Sequence, residues 1–248
     1  MVADGITGGF EIKQHTTVAE TLEKGSVEQK AAAKIFDFNG DGEYSLQEAE
    51  SFNSSIITVN GDNITTRTGD FEVTQSKKDI NQDYKYKTAN YQKNFSLLRQ
   101  FGLNAKEILD DVGEKECLLI TDKSGKQILM IKSPDVTLRI PIDKNYNPSN
   151  IRISSNLQNL ENINATIIFN KDFALEDGVN IYQPRIGGNS NVHIIGSDKT
   201  TDRVIIADNA SVTFKTGDNS DAIIVEGANG ELNNHRLDPG QTKIKATE

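Results

Sequence analysis

The chain has 248 residues, with 36 acidic and 27 basic side chains, a net charge of −9 and a pI of about 5.0. This acidic balance argues against a general nucleic-acid-binding protein, which needs a basic surface. One cysteine excludes an internal disulfide and a cysteine-rich zinc site, three scattered histidines argue against a multi-histidine metal centre, and no apolar run approaches the ~18 residues of a membrane span.

The N-terminal residues 1–16 show little periodicity, and we expect them to form a loose arm or an added edge strand. They lack the basic region and the ~7–15-residue apolar stretch of a secretory signal. The sequence therefore leaves three possibilities open: the protein is cytosolic, it is exported by a route that needs no such signal, or the sequence has been trimmed.

Residues 17–55 carry the clearest helical signals. Ser26 and Gln29 fit a capping box, in which a hydroxyl side chain at the N-cap is followed three residues later by Glu or Gln. An alanine-rich run to Phe36 follows and predicts a helix. Ser45 and Glu48 form a second capping box, which predicts a short helix through about residue 54.

From residue 56 onward, short β-branched runs alternate with Asn, Gly and Asp. One helical interruption is predicted over residues 91–112, broken into two pieces at Gly102. Two apolar runs, 118–121 and 128–131, flank a short turn with Gly125 and predict a β-hairpin. Strict alternation of apolar residues over 136–142 predicts a half-buried strand.

The last hundred residues contain a repeat of about 20 residues. When residues 191–210 are placed over 211–230, Val192 falls on Val212 and Ile194 on Phe214, and after one gap residues 204–206 fall on 223–225. Short strands repeated at this spacing, with Asn, Gly and Asp in the turns, resemble a β-solenoid, as in β-rich domains on bacterial surfaces. An antiparallel β-sandwich is the alternative, because it also has short, closely spaced strands.

The predicted fold class is therefore α+β, with a small helical unit followed by a mainly-β domain. A β-solenoid is predicted for that domain, and an antiparallel β-sandwich is the alternative. The predicted domains are an N-terminal arm with the helical unit at 1–58, a mixed linker and helical segment at 59–116, and a β-rich domain at 117–248.

Between the two capped helices, residues 37–48 carry oxygen-bearing side chains at regular positions. The first, third, fifth, ninth and twelfth positions hold Asp37, Asn39, Asp41, Ser45 and Glu48. A hard divalent cation such as Ca²⁺ binds about six to eight oxygens, and Gly42 at the sixth position allows the sharp turn around such an ion. With a helix on each side, this segment resembles the EF-hand calcium loop.

The resemblance to the EF-hand implies a role for each residue of the loop. Asp37, Asn39 and Asp41 would bind the ion through side-chain oxygens, and Glu43 would bind it through its backbone carbonyl. Ser45 would contact the ion directly or through a water, and Glu48 would bind it with both carboxylate oxygens. Tyr44 would point into the core. The predicted calcium ligands are Asp37, Asn39, Asp41, Glu43, Ser45 and Glu48.

EF-hands usually occur in pairs that share a small sheet between their loops, so we searched for a second loop. Residues 79–90 place Asp79, Asn81 and Asp83 correctly, but Tyr84 replaces the glycine and Asn90 the final carboxylate. We therefore expect an ordinary polar turn there. A single hand favours a structural site or a low-affinity sensor at ~10⁻⁴ to 10⁻³ M calcium, which favours an extracellular or cell-surface location.

Two functions remain open from the sequence. The first is a calcium-binding structural or adhesive protein with a protein or polysaccharide partner. The second is a carbohydrate-active or carbohydrate-binding β-solenoid that calcium stabilises, with carboxylates at Asp198, Asp202, Asp218 and Asp221. No catalytic constellation stands out, and the absence of Trp argues against sugar stacking, so a non-enzymatic function is favoured. Cys117 is predicted to be a buried thiol and no nucleophile.

Overall fold

The computed structural model describes residues 10–110, 114–170, 182, 184–195, 203–206, 210–215, 224–227, 235–236 and 241–245. The chain divides into two compact units, Met1–Lys93 with Asp110–Gly113, and Asn94–Leu109 with Glu114–Glu248. The helices of the described residues are α1 (Val18–Lys24), α2 (Val27–Ala32), α3 (Leu46–Ser54), α4 (Lys77–Gln100), α5 (Ala105–Leu109) and a 3₁₀ helix, Pro148–Asn150.

The first unit combines the N-terminal helices with a three-stranded antiparallel sheet. Its strands are β1 (Ile56–Asn60), β2 (Asn63–Thr68) and β3 (Phe71–Ser76), joined by two-residue turns in which Gly61 and Gly69 adopt positive φ. Aromatic side chains form much of the core, and the ring centroids of Phe36 and Phe52 are 4.5 Å apart. Tyr44 is completely buried there, as predicted.

Helix α4 begins earlier than the sequence pattern predicts. The predicted helix over 91–112 is correctly interrupted at Gly102, which has a φ of +70°, but α4 already starts at Lys77. The polar turn predicted at residues 79–90 is therefore wrong, because this segment is helical. Ser76 caps the helix by accepting the Asp79 N–H at 3.1 Å, and the buried side chains of Ile80 and Leu98 anchor it despite the polar sequence.

The second unit contains two sheets. The first has the order β16-β13-β11-β9-β6-β5-β4, and the second has the order β15-β14-β12-β10-β8-β7. Their strands are β4 (Glu116–Thr121), β5 (Gln127–Lys132), β6 (Val136–Ile142), β7 (Arg152–Ile153), β8 (Asn159–Glu161), β9 (Asn164–Phe169), β10 (Arg185–Gly187), β11 (Asn191–Ile195), β12 (Arg203–Ile206), β13 (Ser211–Lys215), β14 (Ile224–Gly227), β15 (His235–Arg236) and β16 (Gln241–Lys245).

Several local predictions for this unit are confirmed. β4 and β5 form the predicted antiparallel hairpin, and Asp122 donates its N–H to the Lys126 carbonyl across the turn. β6 covers the predicted alternating strand, with Leu138 and Ile140 buried. Cys117 is buried at the start of β4, as predicted.

The predicted β-solenoid is wrong, because both sheets mix parallel and antiparallel pairs. The repeat does pair in parallel, with Val192 opposite Val212, although Val204 lies opposite Val225 and not opposite residue 223. However, β4, β5, β6 and β9 pair antiparallel, and β15 and β16 each reverse direction against the last repeat strands. The parallel pairs equally contradict the antiparallel sandwich, so the architecture is α+β with several mixed sheets.

No helix within the described ranges has both the length and the apolar character needed to cross a membrane.

Candidate metal site

The loop at residues 37–48 is held between α2 and α3 by two capping boxes. Ser26 accepts the Gln29 N–H at the start of α2, and Ser45 accepts the Glu48 N–H at 3.3 Å at the start of α3. Both boxes were predicted from the sequence. They define where each helix begins, and the second one brings Glu48 back towards the beginning of the loop.

Asp37 lies at the centre of the loop and is completely buried. Its Oδ1 accepts N–H groups from Gly40 at 2.8 Å and Asp41 at 3.2 Å, and its Oδ2 accepts the Gly42 N–H at 2.9 Å. The backbone therefore wraps around this carboxylate. Burial raises the pKa of Asp37 to about 6, and the charges of Asp41 and Glu48 add to this effect.

Asn39 and Asp41 shape the middle of the loop through side-chain to backbone hydrogen bonds. Asn39 Oδ1 accepts the Asp41 N–H at 2.9 Å, and Asp41 Oδ1 accepts the Glu43 N–H at 2.9 Å. Each bond joins residues two positions apart, as in an Asx turn. The Asp41 N–H is thus shared between the side-chain oxygens of Asp37 and Asn39, and this places those two oxygens beside each other.

Glu48 closes the loop from its far end and is 1% exposed. Its Oε1 accepts the Phe38 N–H at 2.7 Å, and its Oε2 accepts the Ser45 N–H at 2.8 Å. The side chain therefore faces the loop interior and not the solvent. This is the orientation that the predicted role of Glu48 requires.

Two glycines of the loop have left-handed backbone conformations. Gly42, the predicted turn residue, has a φ of +89° and open space around it. Gly40 has a φ of +76° and packs against the backbone of α4, so that a Cβ atom there would lie 2.9 Å from backbone atoms of Lys87 and Thr88. The sequence motif explains Gly42, whereas Gly40 is required by the helix that lies across the loop.

The N-terminal segment pairs with the loop along its outer side. Tyr44 donates its N–H to the Thr16 carbonyl at 2.9 Å, and its own carbonyl accepts the His15 N–H at 2.8 Å. Thr17 and Glu43 form an antiparallel β-bridge. The Glu43 side chain extends away from the loop interior and contacts His15 Nδ1. A small sheet of this kind is what a second loop would supply in a paired EF-hand.

A loose arm or an added edge strand was predicted for residues 1–16, but the pairing of this segment with the loop was not. Thr17 and Glu20 form a third capping box, at the start of α1, with the same spacing as Ser45 and Glu48. These two capping boxes begin at the ends of the two segments, residues 15–17 and 43–44, that pair with each other. Residues 13–20 do not have the ligand spacing of a calcium loop, so they carry no motif that would indicate a partner.

Helix α4 covers the loop on another side. The Tyr84 hydroxyl donates to Asp37 Oδ2 at 2.9 Å. Burial raises the pKa of Tyr91 to about 12, with the nearby Asp41 contributing. These tyrosines lie more than 35 residues after the end of the loop and carry no motif, so no sequence signal indicated their position.

The loop has the donor types that a calcium ion needs, in the expected order along the chain. Within the described residues, however, no group of three or more His, Cys, Asp or Glu side chains is arranged to hold a metal ion. The carboxylate oxygens of Asp37 and Glu48 instead accept hydrogen bonds from backbone N–H groups. Coordination of an ion by these residues would therefore require the carboxylates to exchange backbone partners for the metal.

The other carboxylates considered as a candidate site, Asp198, Asp202, Asp218 and Asp221, lie outside the described residues.

No protein-family model matches this chain, and neither the curated proteins nor the solved structures include a significant match to it.

Proposed function

We propose that residues 37–48 bind Ca²⁺ and that the bound ion stabilises the N-terminal unit of a structural or adhesive protein. The side chains of Asp37, Asn39, Asp41 and Glu48 would contribute ligand oxygens, Glu43 its backbone carbonyl, and Ser45 a direct or water-mediated contact.

One observation carries this proposal: Asp37 and Glu48 are both buried, and among the described residues no basic side chain forms an ion pair with either of them. A buried carboxylate without a positive partner is costly, because desolvation penalises the charged form. The raised pKa of Asp37 reflects this cost. A divalent cation would supply the missing charge, and a loop rich in oxygen ligands and poor in nitrogen and sulfur favours a hard ion.

Calcium is favoured over magnesium by the ligand set. Magnesium requires a tight octahedron and retains several waters, whereas calcium accepts more ligands and flexible geometry. The proposed ligands are three side-chain carboxylates, one amide, one hydroxyl and the backbone carbonyl of Glu43, all within twelve consecutive residues. A site of this composition suits the ion that tolerates irregular coordination.

The setting of the protein is part of the same proposal. Calcium modules that work at ~10⁻⁴ to 10⁻³ M are effective outside the cytosol, where calcium is abundant. We therefore propose an extracellular or cell-surface role with a protein or polysaccharide partner. The acidic surface is consistent with such a role, and nothing in the described residues favours an enzymatic one.

Isothermal titration calorimetry of the full chain, after removal of divalent ions with EGTA, tests calcium binding. We expect one binding event for the wild type and none for Glu48→Gln, which keeps an oxygen acceptor for the backbone but loses the carboxylate charge. Glu50→Gln is the matched control, because Glu50 lies in the same helix but is exposed. Absence of binding to the wild type at millimolar calcium would contradict the proposal.

A melting-temperature titration distinguishes a stabilising ion from weak surface association. An ion that binds only the native state raises the melting temperature with concentration by mass action. We expect this rise for the wild type and for Glu50→Gln, but not for Glu48→Gln. Magnesium at equal concentration should give a smaller rise.

A further inference from the structure

A second candidate site lies in the other unit, in a cleft lined mainly by asparagines. The cleft has a volume of about 230 Å³ and lies between the end of β6, the 3₁₀ helix and the turns that follow β8 and β10. We call it the asparagine cleft. Its asparagines are Asn145, Asn147, Asn150, Asn162, Asn164 and Asn189.

Asn162 holds the walls of this cleft together. It has a φ of +53°, which asparagine tolerates better than most residues. Its Oδ1 accepts the Asn189 N–H at 3.0 Å, and its Nδ2 donates to the Asn150 carbonyl at 3.1 Å. Gly188 leaves room for this amide, since a Cβ there would overlap it. One side chain thus joins three separate turns.

The remaining amides are available to a ligand. Asn145, Asn150, Asn164 and Asn189 are exposed, and within the described part of the chain their side-chain amides make no hydrogen bond to another residue. Each amide carries two N–H donors and one carbonyl acceptor. Several such groups facing one cleft match a ligand whose own groups both donate and accept hydrogen bonds.

The charge and the shape of the cleft narrow the ligand class. Among its described lining residues, Asp143 is the only one with a carboxylate and none is basic, which disfavours an anionic ligand. The buried side chains of Ile140 and Ile151 give the cleft an apolar part. The aromatic ring of Tyr146 also lines the cleft, and its hydroxyl donates a hydrogen bond to the Phe101 carbonyl at 2.8 Å. The volume is below the ~300–1,000 Å³ of pockets for drug-sized ligands, so one ring fits better than a chain.

We propose that the asparagine cleft binds a neutral saccharide through a single sugar ring. Sugar hydroxyls would pair with the free amides, and the apolar face of the ring would contact Tyr146. This inference deepens the proposed adhesive role by naming a ligand class, and it rests on that role only for its biological meaning. The cleft lies in a different unit from the calcium loop, so each site is tested separately.

The test uses ¹H–¹⁵N NMR spectra of the full chain, with glucose, galactose, mannose and N-acetylglucosamine added one at a time to millimolar concentrations. We expect at least one sugar to shift the side-chain amide signals of Asn150 and Asn164. Asn164→Ala should weaken binding about fivefold to tenfold, as expected for the loss of one or two hydrogen bonds. Asn189→Ala, which keeps its backbone N–H, should act similarly.

Asn159→Ala is the matched control, because Asn159 is also an exposed asparagine at the start of a strand but lies outside the cleft. It should bind like the wild type. The proposal is overturned if none of the four sugars shifts the cleft signals, if the shifts occur elsewhere, or if Asn164→Ala binds as tightly as Asn159→Ala. The titration is repeated with Glu48→Gln, which should bind the sugar like the wild type. A loss of calcium binding and a loss of sugar binding can therefore be distinguished.

Discussion

The Tyr84 hydroxyl donates a hydrogen bond to Asp37 Oδ2 at 2.9 Å and joins α4 to the first residue of the candidate calcium loop. The two residues are 47 positions apart in sequence. Gly40 packs against the same helix near Lys87, so the loop meets α4 at two points. The conformation of the loop and the position of this helix are therefore mutually dependent.

Tyr84→Phe should destabilise the calcium-free protein by about 1–2 kcal/mol, because it removes a hydrogen bond to a buried carboxylate. The free energy of unfolding, measured by urea denaturation in EGTA, checks this value. Tyr86→Phe is the control, since Tyr86 lies in the same helix but is 71% exposed. Equal effects of the two substitutions would mean that the Tyr84–Asp37 bond contributes nothing.

The raised pKa of Asp37 predicts opposite pH trends with and without calcium. The folded pKa is about 6 against an ordinary value of 3.8, so between these values the folded state keeps a proton that the unfolded state has lost. Without calcium, the contribution of Asp37 is complete below about pH 4 and is lost as the pH rises through about 6, on the order of 3 kcal/mol in total.

Calcium affinity should instead fall as the pH drops below about 6, because ligand carboxylates must be deprotonated. Urea denaturation between about pH 4 and 7, compared between wild type and Asp37→Asn, isolates the first trend. Calorimetric titration of the wild type over the same range measures the second. A difference between wild type and Asp37→Asn that does not change with pH would contradict the assignment.

Gly40→Ala should destabilise the protein more than Gly42→Ala. Both glycines have positive φ, which costs an alanine about 1–2 kcal/mol. At Gly40 the added Cβ would also meet backbone atoms of α4 at 2.9 Å, whereas nothing lies within 4 Å at Gly42. We expect about 3 kcal/mol or more for Gly40→Ala.

Gly61→Ala measures the cost of the positive φ without any steric overlap, because Gly61 has a φ of +62° and an added Cβ there would have no atom within 4 Å. Thermal or urea unfolding of the three variants measures the order. If Gly40→Ala proved no worse than Gly61→Ala, the close packing of the loop against α4 would be incorrect.

His15→Pro should weaken both the stability of the N-terminal unit and its affinity for calcium. Proline removes the N–H that His15 donates to the Tyr44 carbonyl, and its fixed φ near −65° is incompatible with the observed +69°. His15→Ala keeps the N–H and loses only the contact with Glu43. We expect the alanine variant to bind calcium nearly as well as wild type in calorimetry, and the proline variant at least tenfold more weakly.

The parts of the fold that follow short-range rules were predictable. Capping boxes at Ser26 and Ser45, the hairpin around Gly125 and the pairing of Val192 with Val212 depend on residues close in sequence or on a regular repeat. The solenoid prediction failed because a repeat determines how its own strands pair, but not which strands pair with its first and last members. Here antiparallel strands, β6 on one side and β16 on the other, complete the sheet.

The loop residues of the candidate site were also predictable, because all of them lie within one motif. The groups that surround the loop were not. Tyr84 contacts Asp37 from a polar helix whose sequence resembles a turn, and the Thr16 carbonyl pairs with Tyr44 through its backbone. Backbone pairing and distant hydroxyl contacts leave no pattern in a single sequence, so only the three-dimensional arrangement reveals them.

Tyr44 is buried and Tyr84 is half-buried beside the loop, and this arrangement also has an optical consequence. The chain has no tryptophan, so tyrosine dominates its ultraviolet emission, and three of its six tyrosines, Tyr44, Tyr84 and Tyr91, belong to the loop or lie near it. The Tyr84 hydroxyl bonds directly to a residue that would bind the ion. The intrinsic tyrosine fluorescence of the native protein therefore depends on the environment of the loop, and no added label is needed to follow it.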